Sequence, residues 1–420
     1  MAIQKLEIHG YRSFDKAIWE PGKLNLLVGP NGSGKSNLLR LLELISDTAA
    51  GRLAKSINDA GGMVPLLWDR GATSFGWRAT LDTATETITL DMNIRQLGGG
   101  SAFAINRDTL ETWRKYEQGR PEPPVCIYAR GSRLAMVDDV ESHGRDPFPD
   151  PDPNESLLSQ VGGLSVISMV TKRELAAWRV HDDLEVGAHS AIRQPVVTQH
   201  STLVEPDGSN LATVLHTLYG ENRHFTEEID NGMRAAFGED FEKIAVRPVG
   251  AGLVQLAVHW RSSKTSHVGS QLSDGTLRFL LLLTILANPE PPPLIAIDEP
   301  EIGLHPSMLA ILAEYAAEAA ERTQVVISSH SPEFLDAFTE QEPHVTLCQW
   351  EDGRTQLLPL PPDQLRTWLE KYRLGEMFTC GDLDVLATPD VEPVEDLEAV
   401  FGDLPPEGHP HPPKSREHHP

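Results

Sequence analysis

The tightest constraint on this chain is the segment Gly29-Pro-Asn-Gly-Ser-Gly-Lys35-Ser36, which fits the pattern G-x-x-x-x-G-K-[ST]. A short apolar run, Leu24 to Val28, precedes it. A stripe of Leu38, Leu39, Leu41, Leu42 and Ile45 follows at helical spacing. The reading is strand, glycine-rich turn, helix. Glycines let a backbone wrap closely, so that successive N–H groups point inward at an anion. The helix that follows adds its positive N-terminal end. Lys35 would place a point charge on the β- and γ-phosphates of a nucleoside triphosphate, and the Ser36 hydroxyl would ligate Mg²⁺. Gly29, Asn31, Gly32, Gly34, Lys35, Ser36 and Asn37 are the expected nucleotide contacts.

A second apolar run, Leu294-Ile-Ala-Ile, ends in Asp298-Glu299-Pro300. Such a run reads as a buried parallel strand, and ligands of parallel sheets lie at the carboxyl ends of their strands. Asp298 is expected to hold Mg²⁺ through water, and Glu299 to polarise the water that attacks a γ-phosphate. Leu272-Ser273-Asp274-Gly275-Thr276 stands before an apolar helical pattern. By itself it is a helix cap, although Ser273 and the N–H groups around Gly275 could face a phosphate. Ser328-Ser329-His330-Ser331-Pro332 follows the next apolar strand, where His330 could reach a γ-phosphate oxygen or could be structural.

Taken in order, these segments resemble the ABC-type ATPases of the RecF, OLD and structural-maintenance-of-chromosomes branch. GPNGSGKS resembles their Walker A motif, LSDGT their signature motif, LIAIDEPEIGLHP their Walker B motif running into the D-loop, and SSHSP their switch-histidine segment. Tyr11-Arg12-Ser13-Phe14 resembles the N-terminal strand-turn motif of the branch. The match is good over residues 1–50 and about 240–345. The middle matches only in layout.

The resemblance implies ATP and Mg²⁺ as ligands, with Lys35, Glu299 and His330 catalytic. It implies a homodimer in which Ser273 and Gly275 of one subunit complete the ATP site of the other. The Glu301–His305 stretch would cross that interface. Arg12 would contact nucleotide. Gln160, in Ser156-Leu-Leu-Ser-Gln160, is the candidate for the metal-binding Q-loop glutamine, with a surface glutamine as the alternative. Asp274 stands where the transporter branch usually carries Gly. Leu369-Glu-Lys-Tyr-Arg-Leu-Gly-Glu-Met-Phe is similar to the C-terminal part of predicted bacterial ATPases encoded beside a small TOPRIM-type nuclease-like protein. The implied role is an ATP-gated DNA-repair or anti-phage defence ATPase acting through a partner. The alternative is the ATPase subunit of a membrane transporter.

Charge narrows the partners. Lys plus Arg number 36 against 61 Asp plus Glu, a net charge of −25. A surface coated in phosphate-binding charge is disfavoured, so any nucleic-acid contact is expected to be local or supplied by a partner. The longest apolar run, Phe279 to Ala287, is shorter than the roughly 20 residues of a membrane helix. With no signal-like start and three scattered cysteines, a cytoplasmic location without membrane attachment is expected. A nuclease within this chain is disfavoured, because HExxH, CxxC and RxxxxH patterns are all absent.

The expected fold is an α/β P-loop NTPase, an ABC-ATPase head with a mixed sheet. Residues 1–154 would form an N-terminal lobe containing an antiparallel subdomain, with a hairpin of Phe75–Leu81 and Thr87–Ile94. Residues 155–240 would form a helical insertion, with helical patterns from Lys172 to Leu184 and from Asn210 to Phe237. Residues 241–386 would form the C-terminal lobe, opening on a hairpin of Ile244–Val249 and Leu253–Trp260. Residues 387–420 are acidic, then rich in Pro and His, and are expected to be a disordered, solvated tail. Its His409, His411, His418 and His419 could in principle bind a metal.

Overall fold

Leu24–Val28 (β1) is buried at every position. Uninterrupted apolar sequence suits a strand covered on both faces. Leu26 and Val28 pack into one hydrophobic core, and Leu27 into the core on the other side of the sheet. The computed structural model describes residues 1–98, 102–114, 125–131, 135–139, 144–147, 151–161 and 165–387.

Around this strand the core adds Lys35–Ala50 (α1), Arg179–His181 (β2), Asp274–Leu286 (α2), Leu294–Asp298 (β3), Pro306–Ala320 (α3), Gln324–Ser329 (β4), His344–Glu351 (β5) and Arg354–Pro359 (β6). The strands make a six-stranded sheet in the order β2-β3-β4-β1-β5-β6. Its first five members are mutually parallel, and β6 returns antiparallel to β5. Period-2 alternation divides the strands between two cores. Ile295 and Ile297 of β3 pack with α2 and α3, while Leu294 and Ala296 face α1. Each fully buried Leu or Ile contributes about 1.5–3 kcal/mol, so these interleaved faces hold the sheet between its helices.

The N-terminal strands form an eight-stranded sheet, which includes the expected hairpin as Ser74–Asp82 against Glu86–Gln96 with Phe75 opposite Ile94. All of its pairings are antiparallel. A smaller sheet contains the second hairpin, Phe241–Gly250 against Leu253–Trp260.

Two helical expectations change. The pattern from Lys172 to Leu184 is not one helix: a helix spans Val166–Ala176, and Arg179–His181 is then the edge strand β2, parallel to β3. Trp178 and Val180 are buried in the core shared with α1, and the pairing satisfies one edge of the buried strand β3. The insertion is therefore not purely helical. The pattern from Asn210 to Phe237 breaks into Leu211–Glu221 and Arg223–Phe237. Asn222 leaves helical geometry at φ −116°, ψ 106°, and its side chain accepts from Phe225 N to cap the second helix.

Residues Met1–Thr388 form one compact unit. The acidic, Pro- and His-rich tail with its four histidines lies outside the described residues. Among the described residues no helix is long and apolar enough to cross a membrane.

Candidate nucleotide site

The loop between β1 and α1 is held open by glycines that no other residue could replace without a shift. Gly32 and Gly34 have φ of +82° and +104°. A Cβ on Gly34 would lie 2.1 Å from Thr355 Oγ1, and one on Gly29 would lie 2.3 Å from the Cys348 carbonyl oxygen. The antiparallel pair β5–β6 thus presses against the loop. Thr355 donates from Oγ1 to the Ser33 carbonyl at 2.9 Å. Lys35 is buried, and its Nζ donates to the carbonyls of Gly29 at 2.7 Å and Pro30 at 3.1 Å. Asn37 Nδ2 donates to Ser13 Oγ at 2.9 Å, tying α1 to the N-terminal sheet.

Asn31, Gly32, Gly34, Lys35, Ser36, Asn37 and Glu299 line one cleft. Two residues 264 positions apart in sequence, Lys35 of the phosphate loop and Glu299 just past the end of β3, therefore share a site. The pairing that does this is β3 beside β4 and β4 beside β1. Ser328, at the end of β4, donates its hydroxyl to Asp298 Oδ1. The backbone N–H of Glu299 donates to Ser328 O and Oγ, each at 3.2 Å. Glu299 itself has φ +44°. A non-glycine residue held there costs about 1–3 kcal/mol, and such strain persists where surrounding contacts over-determine it. The Nδ1 atom of His330 lies 2.8 Å from Glu299 Oε1, without the alignment of a hydrogen bond. Ser329 Oγ donates to Glu301 Oε1 at 2.6 Å, while burial pushes the Glu301 carboxyl above its ordinary proton affinity.

The signature segment opens α2. Ser273 is its N-cap, accepting at Oγ from Thr276 N at 3.1 Å. A Cβ on Gly275 would come within 2.9 Å of the Gly303 carbonyl, so this helix start packs closely on the stretch after Glu299. The loop ahead of it is organised by Arg193, which sequence reading missed. This buried guanidinium group donates to Val186 O, Gly187 O, Gly269 O at 2.9 Å and Leu272 O at 2.7 Å, and it ion-pairs with Asp274. The only available signal was an Arg in a segment without a motif.

Two expected contacts are elsewhere. Arg12, in the turn between the first two N-terminal strands at φ +46°, donates from Nε to Tyr11 Oη and lines a separate cleft with Arg40, Glu43, Asp47 and Asp182. Gln160 is not brought to the phosphate loop. Its Oε1 accepts from Asp152 N at 2.8 Å and its Nε2 donates to Glu155 O at 3.0 Å. The amide is spent on closing its own loop, so the metal role expected of it is not carried further. Ser273 and Gly275 also do not line the cleft of Lys35.

Ser36 and Asp298 offer hard oxygen donors of the kind Mg²⁺ prefers. Among the described residues no group of three or more His, Cys, Asp or Glu could hold a metal alone. A Mg²⁺ ion here would therefore draw its other ligands from phosphates and water, as that ion usually does.

Residues 188–336 match the family model "AAA domain, putative AbiEii toxin, Type IV TA system", and residues 1–91 match "AAA ATPase domain". The chain is 33% identical over 104 residues to the DNA replication and repair protein RecF of Bifidobacterium adolescentis, covering 24% of each chain. It is 26% identical over 157 residues to structural maintenance of chromosomes protein 5 of Arabidopsis thaliana, covering 34% of this chain and 15% of that one. Its fold matches a crystal structure of an Smc head bound to the C-winged helix domain of ScpA, with TM-score 0.53, 14% identity, 87% of this chain and all of the other covered. Together these likenesses support an ABC-type ATPase of the RecF/SMC-like branch. This ATPase spans a quarter or less of the length of those two curated relatives, so the likeness concerns the ATPase head.

Proposed function

We propose that this ABC-type ATPase closes two ATP molecules between two copies of itself and uses that closure to gate a protein partner in DNA repair or in defence against mobile DNA. The observation that carries the reading is the composition of the cleft. Lys35, Ser36 and Glu299 share it, whereas Ser273 and Gly275, at the start of another helix of the same chain, are not among its lining residues. A second copy supplies what one copy leaves open.

In this reading Lys35 and the N–H groups of the loop bind the β- and γ-phosphates. Ser36 and Asp298 would hold Mg²⁺, which would supply neutralisation of the phosphate charge. Glu299 orients and accepts a proton from the attacking water, and His330, beside its carboxylate, senses the γ-phosphate. Arg12 stays a candidate for contact with the far end of the nucleotide. Closure is a ligand-driven population shift, because the γ-phosphate favours the closed state. The partner proposed is a TOPRIM-type nuclease-like protein, and the net charge of −25 supports output through a partner rather than a broad DNA surface.

Glu299→Gln tests the closure. The variant is expected to bind ATP, to hydrolyse it on the order of 100-fold more slowly, and to run as a dimer with ATP in light scattering. A monomer at saturating ATP would sink the sandwich. A pull-down with the trapped form then asks whether protein or nucleic acid accompanies it.

A further inference from the structure

Arg278 lies on α2, five residues past Ser273. Its guanidinium group bridges two backbone carbonyls on different segments, donating from Nη1 to Leu184 O and from Nη2 to Glu299 O, each at 3.2 Å. Leu184 follows the edge strand β2, and Glu299 follows β3. One side chain of the signature helix thus clamps the backbone on which the hydrolytic carboxylate stands. That backbone is also the strained one, at φ +44°.

The surroundings leave unusual slack. Arg278 Nε, Glu301 Oε2 and His330 Nδ1 are all buried without a hydrogen-bond partner. Buried polar atoms are normally satisfied, and exceptions call for a reason. Three of them lie on residues grouped around Glu299: Arg278 on its carbonyl, His330 against its carboxylate, and Glu301 two positions on. Burial lowers the proton affinity of the Arg278 guanidinium group, while Glu301, Asp183 and Glu299 oppose that shift. It thus sits among acids, yet spends its aligned donors on carbonyls.

We propose that Arg278 is a positioning residue that holds Glu299 in its left-handed backbone conformation and makes the placement of that carboxylate depend on the seating of α2. This inference rests on the sandwich reading for its second half. There, the signature helix touches the ATP held by the partner, while Glu299 acts on the ATP held by its own chain. Arg278 then transmits the filling of one site to the hydrolytic group of the other. That is a coupling free energy between two sites carried by one side chain. The unpartnered Nε and Glu301 Oε2 are the donor and acceptor available to a rearranged, closed form.

The test uses Arg278→Met, which keeps the aliphatic stem and removes the donors, in the full chain. The ATP dissociation constant is expected to stay within about 3-fold of the parent, since Lys35 and the phosphate loop keep their own contacts. The turnover number is expected to fall roughly 10- to 100-fold, as for a misplaced catalytic group. The Hill coefficient for ATP is expected to drop to about 1. A purely structural role would lower stability without separating turnover from affinity. If the methionine variant does not fold, Arg278→Gln, which can reach one carbonyl but not both, is read in the same way. Parental turnover and cooperativity in a folded variant overturn the inference while leaving the sandwich standing. In the Glu299→Gln background, Arg278→Met is expected to keep ATP-dependent dimerisation. A monomer there with Glu299→Gln alone overturns the sandwich and with it the coupling, whereas the loss of turnover still decides the positioning role.

Discussion

Glu43 lies seven residues beyond Ser36 on α1, in the cleft shared by Arg12, Arg40, Asp47 and Asp182. Its carboxyl is pushed up to about 7, first by burial and then by the negative charges of Asp182 and Asp47; Arg40 and Arg52 pull the other way. A carboxyl whose folded value exceeds its unfolded value binds its proton more tightly in the folded state. Its contribution is intact below the ordinary value of 4.5, declines as pH rises, and is fully lost above about 7. Glu43→Gln removes the titration. The variant should melt about 1–3 °C above the parent at pH 8, and the two should melt together near the unshifted value. An equal difference at both pH values would refute the burial argument. Nothing in the sequence marked this residue, because its proton affinity depends on Asp182, which reaches α1 only through the fold. Lys35, Ser36 and Glu299 were legible for the opposite reason: the motif spacing encodes their chemistry locally.

At the scale of elements, the start of α2 shows how much one buried ion organises. Arg193 stands in a short turn ahead of a small sheet strand, and five acceptors converge on it: four carbonyls and the Asp274 carboxylate. Removing the guanidinium group strands the four carbonyls, while the exposed Asp274 carboxylate can turn to water. Arg193→Met is expected to cost about 1–3 kcal/mol in urea unfolding, the penalty for buried acceptors left unpaired. At temperatures where the variant is folded, it should reduce hydrolysis while leaving ATP binding at Lys35 in place. Unchanged midpoint and turnover would show that Asp274 and the Leu272 carbonyl find other partners without loss.

The strands and helices themselves were largely readable. β1, β3 and β4 announce themselves as apolar runs, and both hairpins as alternation about a turn. The edge strand β2 was not. Three residues cannot show a period, and Arg179–His181 is a strand only because β3 offers it an unpaired edge. Likewise Asn222 breaks a continuous helical pattern through a cap, which periodicity does not register.

At the scale of the whole molecule, the cleft of Lys35 and Glu299 does not include Ser273 and Gly275, the residues proposed to complete it from a second copy. In the proposed sandwich this separation would make activity depend on a second copy, and Ser273 is where that dependence can be tested. Ser273 caps α2 and its Oγ is engaged by Thr276. Replacing it with arginine removes the cap, at a local cost of about 1 kcal/mol, and puts a large cation where a partner's phosphates would arrive. The Lys35 cleft of the same chain is unaffected. Ser273→Arg should therefore bind ATP within about 3-fold of the parent, remain monomeric with ATP, and turn over on the order of 100-fold more slowly. For the parent chain, turnover per subunit should rise with protein concentration until dimer saturates, as expected when an interface completes the site. Ser273→Arg should show no such rise. If the variant instead hydrolysed ATP at the parental rate, completion of the site by a second copy would be refuted. The proposed gating of a partner would then have to rest on motion within a single head.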